Sequence, residues 1–182
     1  MKLQIGVIGS MSDTKLSGSL KKRATELGQA IAQNQAILVF GFEGDFDSLS
    51  EIAARSAQQA GGQTLAFVWG NKKADLKDLD AKQVVTGQQR GGGREFSFIL
   101  SCDSIICLSG GSGTLMEIAM AYQAGIPVIS IKNSGGWSEK LAGKFLDNRK
   151  RLKILVANSA KEAVGLALKQ TQEKIAVENK RS

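Results

Sequence analysis

Asp103-Ser-Ile-Ile-Cys-Leu-Ser-Gly-Gly-Ser-Gly-Thr-Leu-Met-Glu117 decides the fold. Asp103 to Leu108 is an apolar run bounded like a buried strand, and Leu115 to Ala124 reads as a helix that stops at Gly125. Glycines therefore sit where a strand turns into a helix. Gly110, Gly111 and Gly113 let the backbone pass close to a ligand or take positive φ. The first helical N–H groups have no partner inside the helix, and the helix dipole adds partial positive charge at the same point. Together these predict an anion site, best suited to phosphate, built from Gly110, Gly111, Ser112, Gly113 and Thr114. The spacing carries a second reading: Thr114-x-x-Glu117 is also a capping box, with Thr114 as N-cap. The loop lacks the Gly-Lys-Ser/Thr ending of a Walker A motif and is not a GxGxxG fingerprint.

Upstream, Leu3 to Ile8 predicts a first strand, followed by a tight loop at Gly9-Ser10 and a helix from about Lys15 to Gln33, capped by Ser12, Asp13 or Thr14. Gly9 and Ser10 are a second strand-to-helix phosphate candidate; an ordinary βα turn explains them equally well. Ala36 to Gly41 is a second buried strand. The loop after it, Gly41-Phe-Glu-Gly-Asp-Phe-Asp47, carries three acids. Helix capping and solvation are favoured over metal binding for Glu43, Asp45 and Asp47, because no EF-hand pattern is present. A helix over 48–60 and a strand over 63–69 follow, and 71–82 reads as a surface loop with one helical turn. After a short strand at 83–87, Gly91-Gly-Gly93 leads into a helix over Arg94 to Ser101. An arginine at a helix start opposes the dipole. A phosphate, or a carboxylate such as Glu117, would compensate; water around an exposed side chain is the alternative.

Downstream, Pro127 to Ile131 and Lys153 to Ala157 are strands, and 133–149 is a connection with a possible short helix and Trp137, more suited to packing than to stacking on a ligand. Ser159 caps a final helix to about Lys169. The division expected is one domain over 1–170 and a tail over 171–182 that starts helical and frays. Strands alternating with helices imply an α/β, Rossmann-like parallel sheet with helices on both faces. In such sheets ligands sit at the carboxyl ends of strands, where the loops at Gly9, Gly41, Gly87 to Arg94 and Gly110 to Thr114 would all lie.

Composition limits the chemistry. The 182 residues are enough for a full core, and no run of about 18 apolar residues suggests a membrane span. No signal peptide pattern opens the chain, so a cytoplasmic protein is expected, with Cys102 and Cys107 reduced and near the core. The net charge of +7 suits an anionic ligand; nucleic acid is a weaker expectation, because basic residues are scattered and no nucleic-acid motif occurs. The chain has no histidine, which removes a His-based triad, a His general base and His metal ligands. No metal site is expected.

Arg94, Asp103 and the Gly110-Gly-Ser-Gly-Thr-Leu-Met-Glu117 run together resemble the LOG (Lonely Guy) family, long labelled "possible lysine decarboxylase"; the resemblance extends from Ile5 to about Val156. It implies a Rossmann-like homodimer. It also implies hydrolysis of the N-glycosidic bond of nucleoside 5′-monophosphates, with Arg94 and Glu117 as the catalytic pair and Gly110 to Thr114 on the 5′-phosphate. No cofactor is needed for that reaction. The label's lysine decarboxylation is the least favoured activity, since no pyridoxal-binding lysine context is evident. Three departures point elsewhere. LOG enzymes usually have proline where this chain has Ser109, lysine where it has Glu95, and a glycine-rich loop where it has Gly41 to Asp47. These features look more like the shorter branch that includes the molybdenum cofactor carriers, which bind a phosphorylated pterin without turning it over. The sequence therefore leaves two main expectations: a phosphoribohydrolase, slightly ahead, and a non-catalytic carrier of molybdenum cofactor, with a nucleotide sensor or an interaction module that has lost chemistry as a third.

Overall fold

The computed structural model describes residues 2–11, 15–44 and 47–178. Seven strands form one sheet: β1 (Gln4–Gly9), β2 (Ile37–Gly41), β3 (Gln63–Val68), β4 (Lys82–Val85), β5 (Ser104–Leu108), β6 (Val128–Ile131) and β7 (Leu155–Ala157). Their order is β4-β3-β2-β1-β5-β6-β7, and every pairing is parallel. The helices are α1 (Gly18–Gln33), α2 (Leu49–Gln59), α3 (Gly93–Leu100), α4 (Ser112–Gln123), α5 (Gly136–Leu141) and α6 (Ala160–Glu178). The expected α/β, Rossmann-like architecture is what forms.

Side-chain alternation along the strands builds two cores, because successive residues point to opposite faces of a sheet. Ile5, Val7, Leu38, Phe40, Ile106 and Leu108 pack with α1, α2 and α6 on one face. Ile8, Val39, Ile105 and Cys107 pack with Phe98 and Ile99 of α3 and Ile118 and Ala121 of α4 on the other. Both faces are covered, which is why β5 is buried at all five positions and reads as an unbroken apolar run. The two halves of the sheet wind outward from β1, so the strand order reverses between β1 and β5. That crevice is where ligands bind in open α/β sheets.

Three local expectations change. The candidate caps Ser12, Asp13 and Thr14 lie outside the described residues; α1 begins later, and Ser17 Oγ accepts the Leu20 N–H at 3.2 Å. The 71–82 connection has no helical turn, and Leu76 and Leu79 bury themselves in the first core. Finally, α6 runs to Glu178, about two turns past the expected end. Its inward stripe of Ala163, Val164 and Ala167 continues at Thr171, which is buried and donates its hydroxyl to the Asp103 carbonyl. Among the described residues no helix is long and apolar enough to cross a membrane, and no group of His, Cys, Asp or Glu could hold a metal ion.

Candidate functional site

A cavity of about 460 Å³ opens at the carboxyl edge of β1, β2 and β5. Of the residues expected there, Gly9, Ser10, Gly41, Arg94, Gly111, Ser112, Gly113, Thr114 and Glu117 line it. Gly110 lies just beneath, buried, with its N–H donated to Ser10 Oγ at 2.9 Å and therefore not presented to a ligand. Val7, Ile8, Phe98 and Met116 give the cavity apolar walls. Glu43, Ser48, Ser50, Arg90 and Glu95 line it as well, and the sequence did not mark them as site residues.

The glycines divide by role. A Cβ on Gly9 would lie 2.4 Å from the Leu108 carbonyl oxygen, so its small size serves the β1–β5 contact. At Gly41 a Cβ would fall on the Arg94 guanidinium, so this glycine makes room for Arg94 rather than for an anion. Gly110 takes φ +99°, and a Cβ there would collide with Thr114. Gly111 and Gly113 differ: neither has positive φ, and a Cβ on either would meet nothing within 4 Å. Nothing in the chain's own packing requires glycine at these two cavity-lining positions.

Helix α4 starts earlier than expected. Gly111 is its N-cap, and Ser112, Gly113 and Thr114 form its first turn. Thr114 is thus at the third helical position, and the Thr114/Glu117 capping box does not form. Among the described residues no side chain caps α4. By contrast, Ser48 Oγ accepts the Glu51 N–H at the start of α2, and the Glu95 carboxylate accepts the Gly92 N–H at the start of α3. The free N–H groups of α4 therefore open onto the cavity at the positive end of its dipole.

The acids arrange differently from expectation too. Arg94 is buried and does not bond Glu117; it donates to Glu43 at 2.6 Å and to Glu95 at 2.7 Å. Arg90 also reaches Glu43, at 3.2 Å, and lies over the Trp69 ring. The acidic loop is thereby tied down onto arginines instead of capping α2, which Ser48 does, while Asp47 pairs with Arg55 at 3.5 Å. Asp45 lies outside the described residues. Burial works against the Arg94 charge, but Glu43 and Glu95 outweigh it and hold the guanidinium protonated. Burial likewise pushes Glu95 up, and the Arg94 charge and the Gly92 N–H bring it below the usual carboxylate range. At Glu117 burial prevails. Burial pushes it up to about 8, offset only in part by the nearby Arg94 charge, with Glu95 and Glu43 adding to the rise. At neutral pH Glu117 is thus a neutral acid, able to donate as well as accept a hydrogen bond.

Beside the cavity, the short helix α5 grips the start of the glycine loop. Trp137 N–H donates to the Gly110 carbonyl at 2.9 Å and Ser138 N–H to the Ser109 carbonyl at 3.0 Å. Trp137 itself is half-buried beneath the Lys140 ammonium, which sits 4.6 Å from its ring.

Comparison with known proteins adds to this geometry. The family model described as the SLOG cluster4 family matches residues 2–164. An uncharacterized protein of Archaeoglobus fulgidus is 32% identical over 133 residues, 72% of this chain and 82% of that protein. Among solved structures, TM1055 superposes with a TM-score of 0.80 at 27% identity, covering 93% of this chain and 99% of that one. The molybdenum cofactor carrier protein of Chlamydomonas reinhardtii gives 0.75 at 29% identity, over 95% and 99% of the two chains. The molybdenum cofactor binding protein of the phototrophic bacterium Rippkaea orientalis gives 0.73 at 28% identity, over 91% and 95%.

Proposed function

The chain belongs to the SLOG cluster4 family, and from that premise we propose that it binds a small phosphorylated molecule without turning it over, a phosphorylated pterin of the molybdenum-cofactor type being the best-supported ligand. The observation that carries the anion is the uncapped start of α4, lined by two glycines that the fold itself does not need. A phosphate there would accept the free N–H groups of the first turn. The cavity volume is in the range of small-molecule sites, about 300–1,000 Å³, and Val7, Ile8, Phe98 and Met116 suit a flat heterocycle. Neither cysteine lines the cavity, so a metal-bearing ligand would be held by its organic part and its phosphate. The similarity to carriers of that cofactor supports the same reading.

What favours a carrier over a hydrolase is Arg94. Its guanidinium is engaged by Glu43 and Glu95, so it cannot serve an incoming phosphate or an ionised Glu117 unless those pairs break. One observation favours the second reading, a nucleoside 5′-monophosphate phosphoribohydrolase. A carboxyl that burial pushes up to about 8 is suited to protonating a departing base, and the carboxylate it leaves can then take the proton of the water that adds to the sugar carbon. The homodimer implied by the resemblance belongs to either reading; light scattering in solution reports the mass, and a monomer would remove it.

The purified protein, incubated with a panel of nucleoside 5′-monophosphates, is expected to release no free base or ribose 5-phosphate. Acid oxidation of the protein as purified from a host that makes molybdenum cofactor is expected to yield fluorescent pterin in a fixed ratio to protein. Base release by wild type and none by Glu117→Gln would establish the hydrolase instead.

A further inference from the structure

We propose that a buried serine relay, made by Ser130 of β6, Ser134 of the turn that follows it and Ser138 of α5, is the positioning device for the anion site: it holds Ser109 and Gly110 left-handed and so aims the first turn of α4. The inference rests on the anion-binding reading above and adds residues to that site that do not touch the cavity.

Ser109 and Gly110 are consecutive residues with φ of +58° and +99°. The first of these is costly for a residue with a Cβ and persists only where the surroundings over-determine it. Here they do. All four backbone groups of the pair are engaged. Ser109 N–H donates to Ser134 Oγ at 3.1 Å, and Gly110 N–H donates to Ser10 Oγ at 2.9 Å. The two carbonyls accept from Ser138 and Trp137, as described above. Behind the pair, Ser134 Oγ donates to Ser138 Oγ at 3.3 Å, Ser138 Oγ donates to the Cys107 carbonyl at 2.9 Å, and Ser130 Oγ donates to the Ser138 carbonyl at 2.7 Å. Ser130 and Ser138 are fully buried and Ser134 nearly so. Gly136 lets the backbones meet: a Cβ on it would lie 2.5 Å from the Gly110 carbonyl oxygen. The relay thus ties the end of β5, the loop and α5 into one rigid unit. With Ser109 and Gly110 satisfied internally, the next N–H groups, from Gly111 onward, are the ones left for a ligand.

The test uses full-length protein, inorganic phosphate as the probe and the backbone amide resonances as readout. Phosphate titrated into wild type is expected to shift the Gly111 and Gly113 amides. In Ser138→Ala those shifts should need about tenfold more phosphate, because a small misplacement of aligned donors is enough to lose that much. Hydrogen exchange at Ser109 and Gly110 should accelerate in the same variant. Ser134→Ala, which leaves the deepest bond of the relay intact, should move both readouts in the same direction, and Ser134→Thr, which keeps the hydroxyl, should restore them. This second pair decides the matter if Ser138→Ala does not fold. Wild-type phosphate affinity in Ser134→Ala and Ser138→Ala, or faster exchange with unchanged affinity, overturns the relay while the anion site stands. No response of Gly111 and Gly113 in wild type overturns the anion site and the relay's role in it together.

Discussion

At the scale of single residues, Glu117 has the clearest consequence. Its folded-state value of about 8 lies above the ordinary 4.5, so the folded protein holds a proton that the unfolded chain gives up. Its contribution to stability is therefore fully present below about pH 4.5 and is lost as pH rises toward 8. Glu51, pushed up to about 7 by burial against the pull of the Glu43 N–H and Arg55, adds a loss of the same sign. Urea unfolding at pH 5 and pH 8 should show wild type losing roughly 1–3 kcal/mol more than Glu117→Gln over that span; equal losses would mean that Glu117 is ionised throughout. Gly113 gives the opposite signature. Alanine at this second helical position meets open space and should stabilise the fold by about 0.5–1 kcal/mol, yet weaken phosphate by about tenfold or more, since its methyl occupies the ligand's approach. Thermal melts and a phosphate titration on one variant check both halves. The family resemblance implies Arg94 and Glu117 as a pair; in the structure Arg94 hydrogen-bonds Glu43 and Glu95 and acts on Glu117 only through its charge. Glu43 lies 51 positions from Arg94, and the excess of acid in its loop was the only hint of that contact.

At the scale of elements, strands and helices were legible wherever hydrophobic period and glycine stops agreed, as in β5 and α4. The start of α4 was misread because Thr114-x-x-Glu117 has the letters of a capping box, while the chain had already turned helical at Ser112. The helical start expected of the tail extends as far as Glu178, because the inward stripe of α6 continues through a threonine. Removing residues 171–182 should thus cost roughly 1 kcal/mol, the value of the Thr171–Asp103 hydrogen bond, rather than nothing. Denaturant midpoints of the full and shortened chains check it. Ser48 offers a cleaner case: Ser48→Ala should lose about 1 kcal/mol through its bond to the Glu51 N–H.

At the scale of the molecule, the arrangement of loops along one sheet edge was readable before any contact was known, since parallel winding puts every strand-to-helix loop on the same side. What the sequence could not supply was pairing across that edge, which depends on side chains brought together from the loop after β2 and from α3 with the segment leading into it. The two cysteines show the same division. Both are buried, and burial raises the Cys107 thiol to about 11 and pushes Cys102 well up. Native protein at pH 8 should resist alkylation that goes to completion at both thiols in denaturant, as mass spectrometry would register.

Ser109 also bears on how such loops can change over descent. Proline, the residue usual at this position in the LOG pattern, fixes φ near −65° and has no N–H. Ser109 sits at +58° and donates its N–H to Ser134. A codon change to proline here would break the turn and strip a bond from the relay at once. The two loop types are therefore not neighbours by single substitution. Passing from one to the other takes more than the one change, so Ser134 and Ser138 should be inherited together with Ser109 and disappear with it.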